Sequence, residues 1–279
     1  RSTLFPYTTL FRSGSCAHLK FGHFVRDILP EETKKLTEAH DHLFDLGLHG
    51  PDMFFYYRPW LPGRVNRTAH DIHYAKASVF FEQSADIPQS SSPDAKAWLY
   101  GFVCHYALDH ACHTYIQQKI DTSNIPHMTV EAEFEKYLML KDNRTLHPGI
   151  YTAHLRADTE TARVIAPFFP GLSVSEVRKS IASFIRFSNL LMFPPPPLRI
   201  CAALASRIPV KKRFGGIVTS TELRADCLDS DKMLEGLLIA AVQNAASLIE
   251  KYSGYLEGRY RSLGEKFNHT FEAEGYENA

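Results

Sequence analysis

The sequence predicts an all-α protein, a multi-helix bundle with a buried polynuclear metal cluster. Three observations lead to this fold class. No stretch shows the apolar–polar alternation of a β-strand, several stretches carry helix start and stop signals, and potential metal ligands recur every four residues within one helical stretch. With 279 residues, of which 44% are hydrophobic, the chain is long enough to bury a full core.

We divide the chain into three parts. Residues 1–13 contain TLFPYTTLFRS, which looks like a translated sequencing-adapter oligonucleotide, and we leave them out of the fold prediction. Residues 14–143 are expected to form a metal-binding helical core. Residues 144–279 are expected to form a C-terminal helical region that packs on the same domain. Beyond Gly264 the polar tail is expected to fray.

Helical patterns account for most of the first third of the chain. One helix is predicted over residues 17–29. A second follows Pro30, with acidic residues in its first turn and a glycine at its end. A turn-rich loop over residues 48–63 comes next and carries Asp52. A third helix is predicted from Asn66 to Ser84.

The central helix carries the strongest functional signal. It is predicted to begin at Pro93, with Ser92 as the N-cap. It contains two histidines and an aspartate spaced four residues apart, His105, Asp109 and His113. Residues at this spacing share one face of a helix, so two imidazoles and a carboxylate point the same way.

This spacing predicts more than one metal ion. His105 and His113 lie two turns apart, roughly 12 Å along the helix axis, whereas zinc–nitrogen bonds are only about 2 Å long. The pair His127 and Glu131 repeats the four-residue spacing after a short loop. We therefore expect His105 and Asp109 to hold one ion, and His113, His127 and Glu131 to hold another. A buried polar helix face with hydrogen-bonded histidines is the alternative.

Two features outside the central helix have local interpretations. Phe54, Phe55 and Tyr56 form either a substrate-binding aromatic wall or a loop that packs its rings on the core. Ser173 and Glu176 match a capping box at the start of a helix.

The composition of the chain disfavours several classes of protein. The formal net charge is zero, so no global field attracts nucleic acid. No uninterrupted apolar run reaches the roughly 18 residues of a membrane span. Five cysteines without CxxC spacing suit a reduced compartment. Of these, Cys104 and Cys112 flank the ligands of the central helix, and we expect them to be buried apolar residues rather than thiolate ligands. We expect a monomer in the cytoplasm, with secretion as the alternative.

The candidate ligands resemble those of the bacterial zinc-dependent phospholipase C family, which shares its metal cluster with single-strand nucleases. The similarity rests on a helix that begins near His18, a His-Gly-Pro-Asp turn that ends at Asp52, a His-xxx-Asp helix from His105, and a His-xxx-Glu pair from His127. The resemblance implies an all-α fold with a zinc cluster buried between helices.

The resemblance also implies a ligand set of imidazoles and carboxylates. The first zinc ion takes four residues, Asp52, His73, His105 and Asp109, with His70 as the alternative to His73. The second takes three, His113, His127 and Glu131. A third takes His18 and a bridging Asp109. Secreted members complete this third site with an N-terminal tryptophan that has no counterpart here, so we expect two or three zinc ions.

The activity implied is phosphodiester hydrolysis. Clustered zinc ions bring the pKa of bound water toward 7 and give a hydroxide at neutral pH. Asp52 is expected to accept the proton of the attacking water as the catalytic base. The expected substrate is a phospholipid, cleaved to a phospho-headgroup and diacylglycerol during transient contact with a membrane surface. One alternative is a zinc-dependent nuclease or nucleotidase, less favoured because no basic stripe is evident. A second is a non-catalytic metal-binding helical protein. A third is a different metal, such as iron or manganese, in the same pocket of carboxylates and histidines.

Overall fold

The computed structural model confirms the all-α prediction. It describes residues 15–59, 61, 63–142, 152–192, 195–198 and 222–272. Every regular element within these ranges is helical, and no β-strand occurs among them. The adapter-like segment, residues 1–13, lies outside the described residues.

The main helices follow one another with short connections. In chain order they are α1 (Ser15–Asp27), α2 (Glu31–Ala39), α3 (Asp41–Gly47), α4 (Arg64–Tyr74), α5 (Ala77–Ala85), α6 (Pro93–Ser123), α7 (His127–Lys141), α8 (Thr159–Ile165), α9 (Val174–Met192) and α10 (Leu228–Leu256).

Helix α6 is the centre of the bundle. Its first turn is capped as predicted, because the Ser92 hydroxyl accepts a hydrogen bond from the amide of Ala95 at 3.3 Å and Pro93 occupies the first turn. Helices α1, α3 and α10 pack along it. Residues on all sides of α6 are therefore buried, including the middle turns that carry the candidate ligands.

Helices α3 and α6 touch through their backbones. A Cβ atom on Gly47 would overlap the carbonyl oxygen of Trp98, and one on Gly101 would overlap the carbonyl oxygen of Phe44. Only glycine fits at these two positions. The contact sets the turn that follows α3 directly against the middle of α6.

Two stretches predicted as single helices are each interrupted. The second predicted helix is divided into α2 and α3 at His40, whose φ of −121° and ψ of 39° are not helical. The stretch predicted from Asn66 to Ser84 is divided into α4 and α5 at Ala75, which has an extended ψ of 158°. The break frees the amide of Ala77 to donate to the carbonyl oxygen of His269 at 2.9 Å. This long-range contact is not visible in the local sequence pattern.

In the C-terminal half, the predicted capping box is confirmed. The amide of Glu176 donates to the Ser173 hydroxyl at 3.3 Å, and the amide of Ser173 donates to Oε2 of Glu176 at 2.9 Å. Helix α10 is long and apolar enough, by length and composition alone, to cross a bilayer. Core helices share that property, and α10 packs against α1, α6 and α7 through side chains such as Leu234 and Leu238.

The polar tail does not fray where expected. Residues 265–272 return to the middle of the bundle, beginning with a 3-10 turn at Glu265–Phe267. Phe267 and Phe271 have no exposed surface. The expectation of fraying beyond Gly264 is therefore wrong for this segment, because two aromatic rings in a polar stretch supply enough apolar surface to fix it.

Candidate metal centre

The structure brings the eight predicted metal ligands together in three groups. Within each group, one nitrogen or oxygen atom from every residue lies within 4.8 Å of the others. The groups are His18, Asp52 and His105; His73, His105 and Asp109; and His113, His127 and Glu131. The first two groups are fully buried, whereas His127 and Glu131 of the third are half-buried.

Asp109 links α6 to two other helices. Its Oδ1 lies 3.2 Å from Nε2 of His18 on α1. Its Oδ2 lies 3.2 Å from Nε2 of His105 and 3.7 Å from Nε2 of His73 on α4. One carboxylate therefore faces three imidazoles through two different oxygens, an arrangement suited to bridging metal ions.

Asp52 lies on the turn after α3 and approaches the same imidazoles that surround Asp109. It begins a 3-10 turn, and its Oδ1 lies 3.2 Å from Nε2 of His73. Gly50, just before it, has a φ of 47°, and a Cβ there would overlap the His105 ring. The left-handed glycine lets the turn approach the imidazole closely, which places Asp52 beside the ligands on α4 and α6.

His113, His127 and Glu131 lie on α6 and α7. Oε1 of Glu131 is 2.8 Å from Nε2 of His127 and 3.6 Å from Nε2 of His113. As the helix rise requires, His113 and His105 fall into different groups although they share one face of α6.

Main-chain oxygens orient three of the imidazoles. A carbonyl oxygen only accepts hydrogen bonds, so in each case Nδ1 is the protonated nitrogen and Nε2 presents its lone pair to the site. The pairs are His73 with Ala69 at 2.8 Å, His105 with Leu48 at 3.2 Å, and His113 with Phe271 at 3.0 Å. Histidines that bind metal are characteristically held in this way.

The donor set fits zinc. Nε2 of His105, Oδ1 of Asp52 and Oε2 of Glu131 are buried and have no hydrogen-bond partner among the described residues. Nε2 of His105 and Oδ2 of Asp109 face each other at 3.2 Å, although both are acceptors. A divalent cation satisfies such a pair, and imidazole nitrogens with carboxylate oxygens are ligands that zinc accepts.

Electrostatics favour the metal-binding protonation state of three ligands, Asp109, Glu131 and His105. Burial lowers the pKa of a fourth, His18, but its hydrogen bond to Asp109 and the charge of that carboxylate outweigh burial and raise it. Burial raises the pKa of Asp109, but its interactions with the surrounding histidines, His105 and His113 first, outweigh burial and hold that pKa well below its usual range. Burial also raises the pKa of Glu131, but the neighbouring His127 and His113 outweigh this effect, so the pKa is lowered. Burial lowers the pKa of His105 to about 4. At neutral pH the carboxylates are therefore ionised and this imidazole is neutral.

The cysteines beside the ligands are not thiolates. Cys104 and Cys112 are buried, and burial raises the pKa of both thiols. Both stay protonated at neutral pH, so they pack as small apolar side chains.

Glu135 is a part of the site that sequence reasoning missed. Its Oε2 accepts a hydrogen bond from the amide of Cys16 at 2.6 Å, and its Oε1 accepts one from the amide of Ala17 at 2.7 Å. Burial raises its pKa to about 7, against the lowering effect of these two bonds. The carboxylate ties the start of α1, which carries His18, to α7. Its position four residues after Glu131, on the same face of α7, was the available signal.

A cavity of about 40 Å³ lies between α1, α6 and α7, large enough to hold water. Its polar wall is formed by His18, Asp109, His113, Glu131 and Glu135. The remaining lining residues are apolar, among them Leu108, Ile116 and Phe134, so the candidate centre borders a small cavity of mixed polarity.

The aromatic residues after Asp52 divide into two kinds. Phe54 and Tyr56 have no exposed surface and pack their rings within the aromatic core. Their surfaces are closed to a substrate, in agreement with the core-packing interpretation. Phe55 is also buried, but its ring centroid lies 5.4 Å from that of His73 at the edge of the site.

Of the two histidines on α4, only His73 lies at the site. Its side chain has no exposed surface and faces Asp52 and Asp109. His70 is half-buried, packs against Tyr74, and belongs to none of the three groups.

Comparison with known families agrees with this geometry. The sequence model described as zinc-dependent phospholipase C matches residues 17–168, more than half of the 279-residue chain. No curated protein and no solved structure was found to match the chain significantly. The matched residues include all eight candidate ligands. The chain therefore belongs to the zinc-dependent phospholipase C family.

Proposed function

We propose that the protein hydrolyses the phosphodiester bond of a phospholipid and releases a phospho-headgroup and diacylglycerol. Family membership supports a phospholipase C-like reaction in general. The observation that carries the proposal is the convergence of three imidazole nitrogens on the two oxygens of the buried Asp109. Imidazole nitrogens and an ionised carboxylate at such distances are the ligands that zinc takes in proteins.

We assign the ligands to ions as the resemblance to the family implies. Asp52, His73, His105 and Asp109 would hold one zinc ion, and His113, His127 and Glu131 a second. A third would lie between His18 and Asp109. When bound, zinc lowers the pKa of water and neutralises charge on the oxygens of a phosphodiester.

Asp52 is the residue that we assign to proton transfer. It lies on a turn rather than in a helix, and its carboxylate borders both buried groups of ligands. A carboxylate in this position can accept the proton of the water that attacks phosphorus. The main-chain bonds at Ala69 and Leu48 meanwhile keep the imidazoles of His73 and His105 from rotating.

The experiment compares two substitutions on consecutive residues of α6. Asp109→Asn removes the bridging charge and should lower both zinc affinity and activity more than about 100-fold, beyond the usual effect of changing a residue that only supports a ligand. His110→Asn is the matched control, because His110 stacks on His269 at a centroid distance of 4.8 Å and belongs to none of the ligand groups. The control should keep zinc and activity.

Three substrates separate the possible functions. Hydrolysis of phosphatidylcholine vesicles by the zinc-loaded protein is expected, together with cleavage of a chromogenic phosphodiester. Cleavage of single-stranded DNA without phospholipid hydrolysis would favour the nuclease alternative. Zinc binding without activity on any of these substrates would favour a non-catalytic metal protein. Full turnover by Asp109→Asn would refute the site assignment.

A further inference from the structure

The C-terminal segment, residues 265–272, reaches the candidate metal centre from well beyond the family match, which ends at residue 168. Nδ1 of His113 donates to the carbonyl oxygen of Phe271 at 3.0 Å, and Oε2 of Glu272 lies 3.5 Å from the same nitrogen. The Glu272 side chain is buried. The carbonyl oxygen of Phe271 and the carboxyl group of Glu272 thus both face Nδ1 of His113, the ring nitrogen that points away from His127 and Glu131.

Main-chain hydrogen bonds hold the segment against α4 and α5. The amide of Phe271 donates to the carbonyl oxygen of His73 at 3.2 Å. The amide of Ala77 donates to the carbonyl oxygen of His269 at 2.9 Å. The segment therefore runs beside the ligand on α4 before it reaches the ligand on α6.

The side chain of Phe271 packs on the same ligands. Its ring centroid lies 5.6 Å from that of His73, 5.9 Å from that of His105 and 5.0 Å from that of Tyr106. Tyr106 in turn donates its hydroxyl hydrogen to the carbonyl oxygen of Lys266 at 2.6 Å. These contacts fix the position of the segment relative to α6, so the groups that face His113 are held in place at both ends.

We propose that Glu272 and the main chain of Phe271 are positioning residues for the metal site formed by His113, His127 and Glu131. The Phe271 oxygen fixes the tautomer and plane of the His113 ring. The carboxyl group of Glu272, 3.5 Å from Nδ1, makes Nε2 a stronger donor to a metal ion, because a carboxylate next to a ligating imidazole raises its basicity. The inference rests on the proposed function only in taking zinc as the ion.

The test measures zinc affinity in the full-length chain by competition with a chromophoric chelator. Glu272→Gln keeps the size of the side chain but removes its charge. We expect the affinity of one zinc ion to fall about 10- to 100-fold, with the other ions bound as in the wild type. His113→Ala should weaken the same ion more strongly, which identifies it as the ion of this site.

A matched control lies in the same segment. Glu265→Gln also removes one negative charge, but the Glu265 carboxylate is exposed and accepts a hydrogen bond from Asn268 at 3.2 Å, away from the ligands. It should bind zinc with wild-type affinity. The unfolding midpoint of Glu272→Gln in excess chelator should stay close to that of the wild type, because the lost interaction supports the metal rather than the fold.

The outcomes separate this inference from the proposed function. Wild-type zinc affinity in Glu272→Gln would overturn the inference and leave the proposed function standing. An equal loss in Glu272→Gln and Glu265→Gln would also overturn it, because the effect would then be one of general charge. A wild-type chain that binds no zinc would overturn both.

Discussion

Substituting Gly50 tests whether the turn that carries Asp52 and the ring of His105 form one rigid unit. Gly50 has a φ of 47°, and a Cβ added to it would overlap the His105 imidazole. That ring has no exposed surface, and its Nδ1 donates to the carbonyl oxygen of Leu48 at 3.2 Å. The ring therefore cannot move away from a new methyl group without losing this bond.

The expected loss of stability has two parts. A left-handed backbone costs alanine about 1–2 kcal/mol, and an extra methyl group in a packed site costs about 1–3 kcal/mol. Gly50→Ala should therefore lower the free energy of unfolding by about 2–5 kcal/mol. Gly258 is the matched control, since it has a φ of 73° and no neighbouring heavy atom within 4 Å of the added Cβ. Gly258→Ala should show only the backbone cost.

The assay is urea unfolding of both variants in excess chelator, followed by zinc titration of each folded protein. The difference in unfolding free energy between the variants measures the contact with His105. Zinc affinity should fall in Gly50→Ala and stay unchanged in Gly258→Ala, because only the first displaces a ligand. If Gly50→Ala is as stable as Gly258→Ala and binds zinc like the wild type, the turn and the ring are not coupled.

Three further predictions concern single polar side chains, Glu135, Asn66 and His154. Glu135→Gln leaves one acceptor for two amides at the start of α1 and should cost about 1–3 kcal/mol in urea unfolding; an unchanged midpoint would contradict the role of this carboxylate. Asn66 donates to the carbonyl oxygens of three residues in the loop after Asp52, so Asn66→Ala should reduce activity while zinc content is retained; loss of zinc would show a wider disruption. Burial lowers the pKa of His154 to about 4 from 6.5. The unfolded chain therefore binds more protons between these values, and stability should fall as pH drops from 6.5 to 4. His154→Asn should flatten this dependence in metal-free protein, and an identical pH profile would refute the assignment.

The part of the site that could be predicted depends on local signals. Ser92 and Pro93 mark the start of α6, and the four-residue spacing of His105 and Asp109 needs only the helical period to place both on one face. The separation of His113 from His105 into another group follows from the helix rise alone. These inferences required no knowledge of how the helices pack.

The rest depends on contacts between distant residues. Neither the break between α4 and α5 nor the return of the C-terminal segment has a local cause, since the amide of Ala77 meets the carbonyl oxygen of His269 only in the folded chain. The residues around Phe271 are mostly polar, so the sequence did not predict that its ring packs on the two ligands His73 and His105. The four-residue spacing from Glu131 places Glu135 on the ligand-bearing face of α7, but its partners are main-chain amides of α1, which the sequence does not identify.

The ligands' distribution explains why metal and fold should depend on each other in this chain. They come from α1, α4, α6, α7 and the turn after α3. The single side chain of Asp109 contacts side chains from two other helices, α1 and α4. Without a cation, neutral imidazole nitrogens and carboxylate oxygens face one another as buried acceptors, a cost that an apolar core does not carry. A bound ion removes that cost at several helices at once. Metal binding at the centre therefore also stabilises the packing of α1, α4 and α6 against one another. This stabilisation explains why a site with so many buried ionisable groups can lie in the middle of the bundle rather than at its surface.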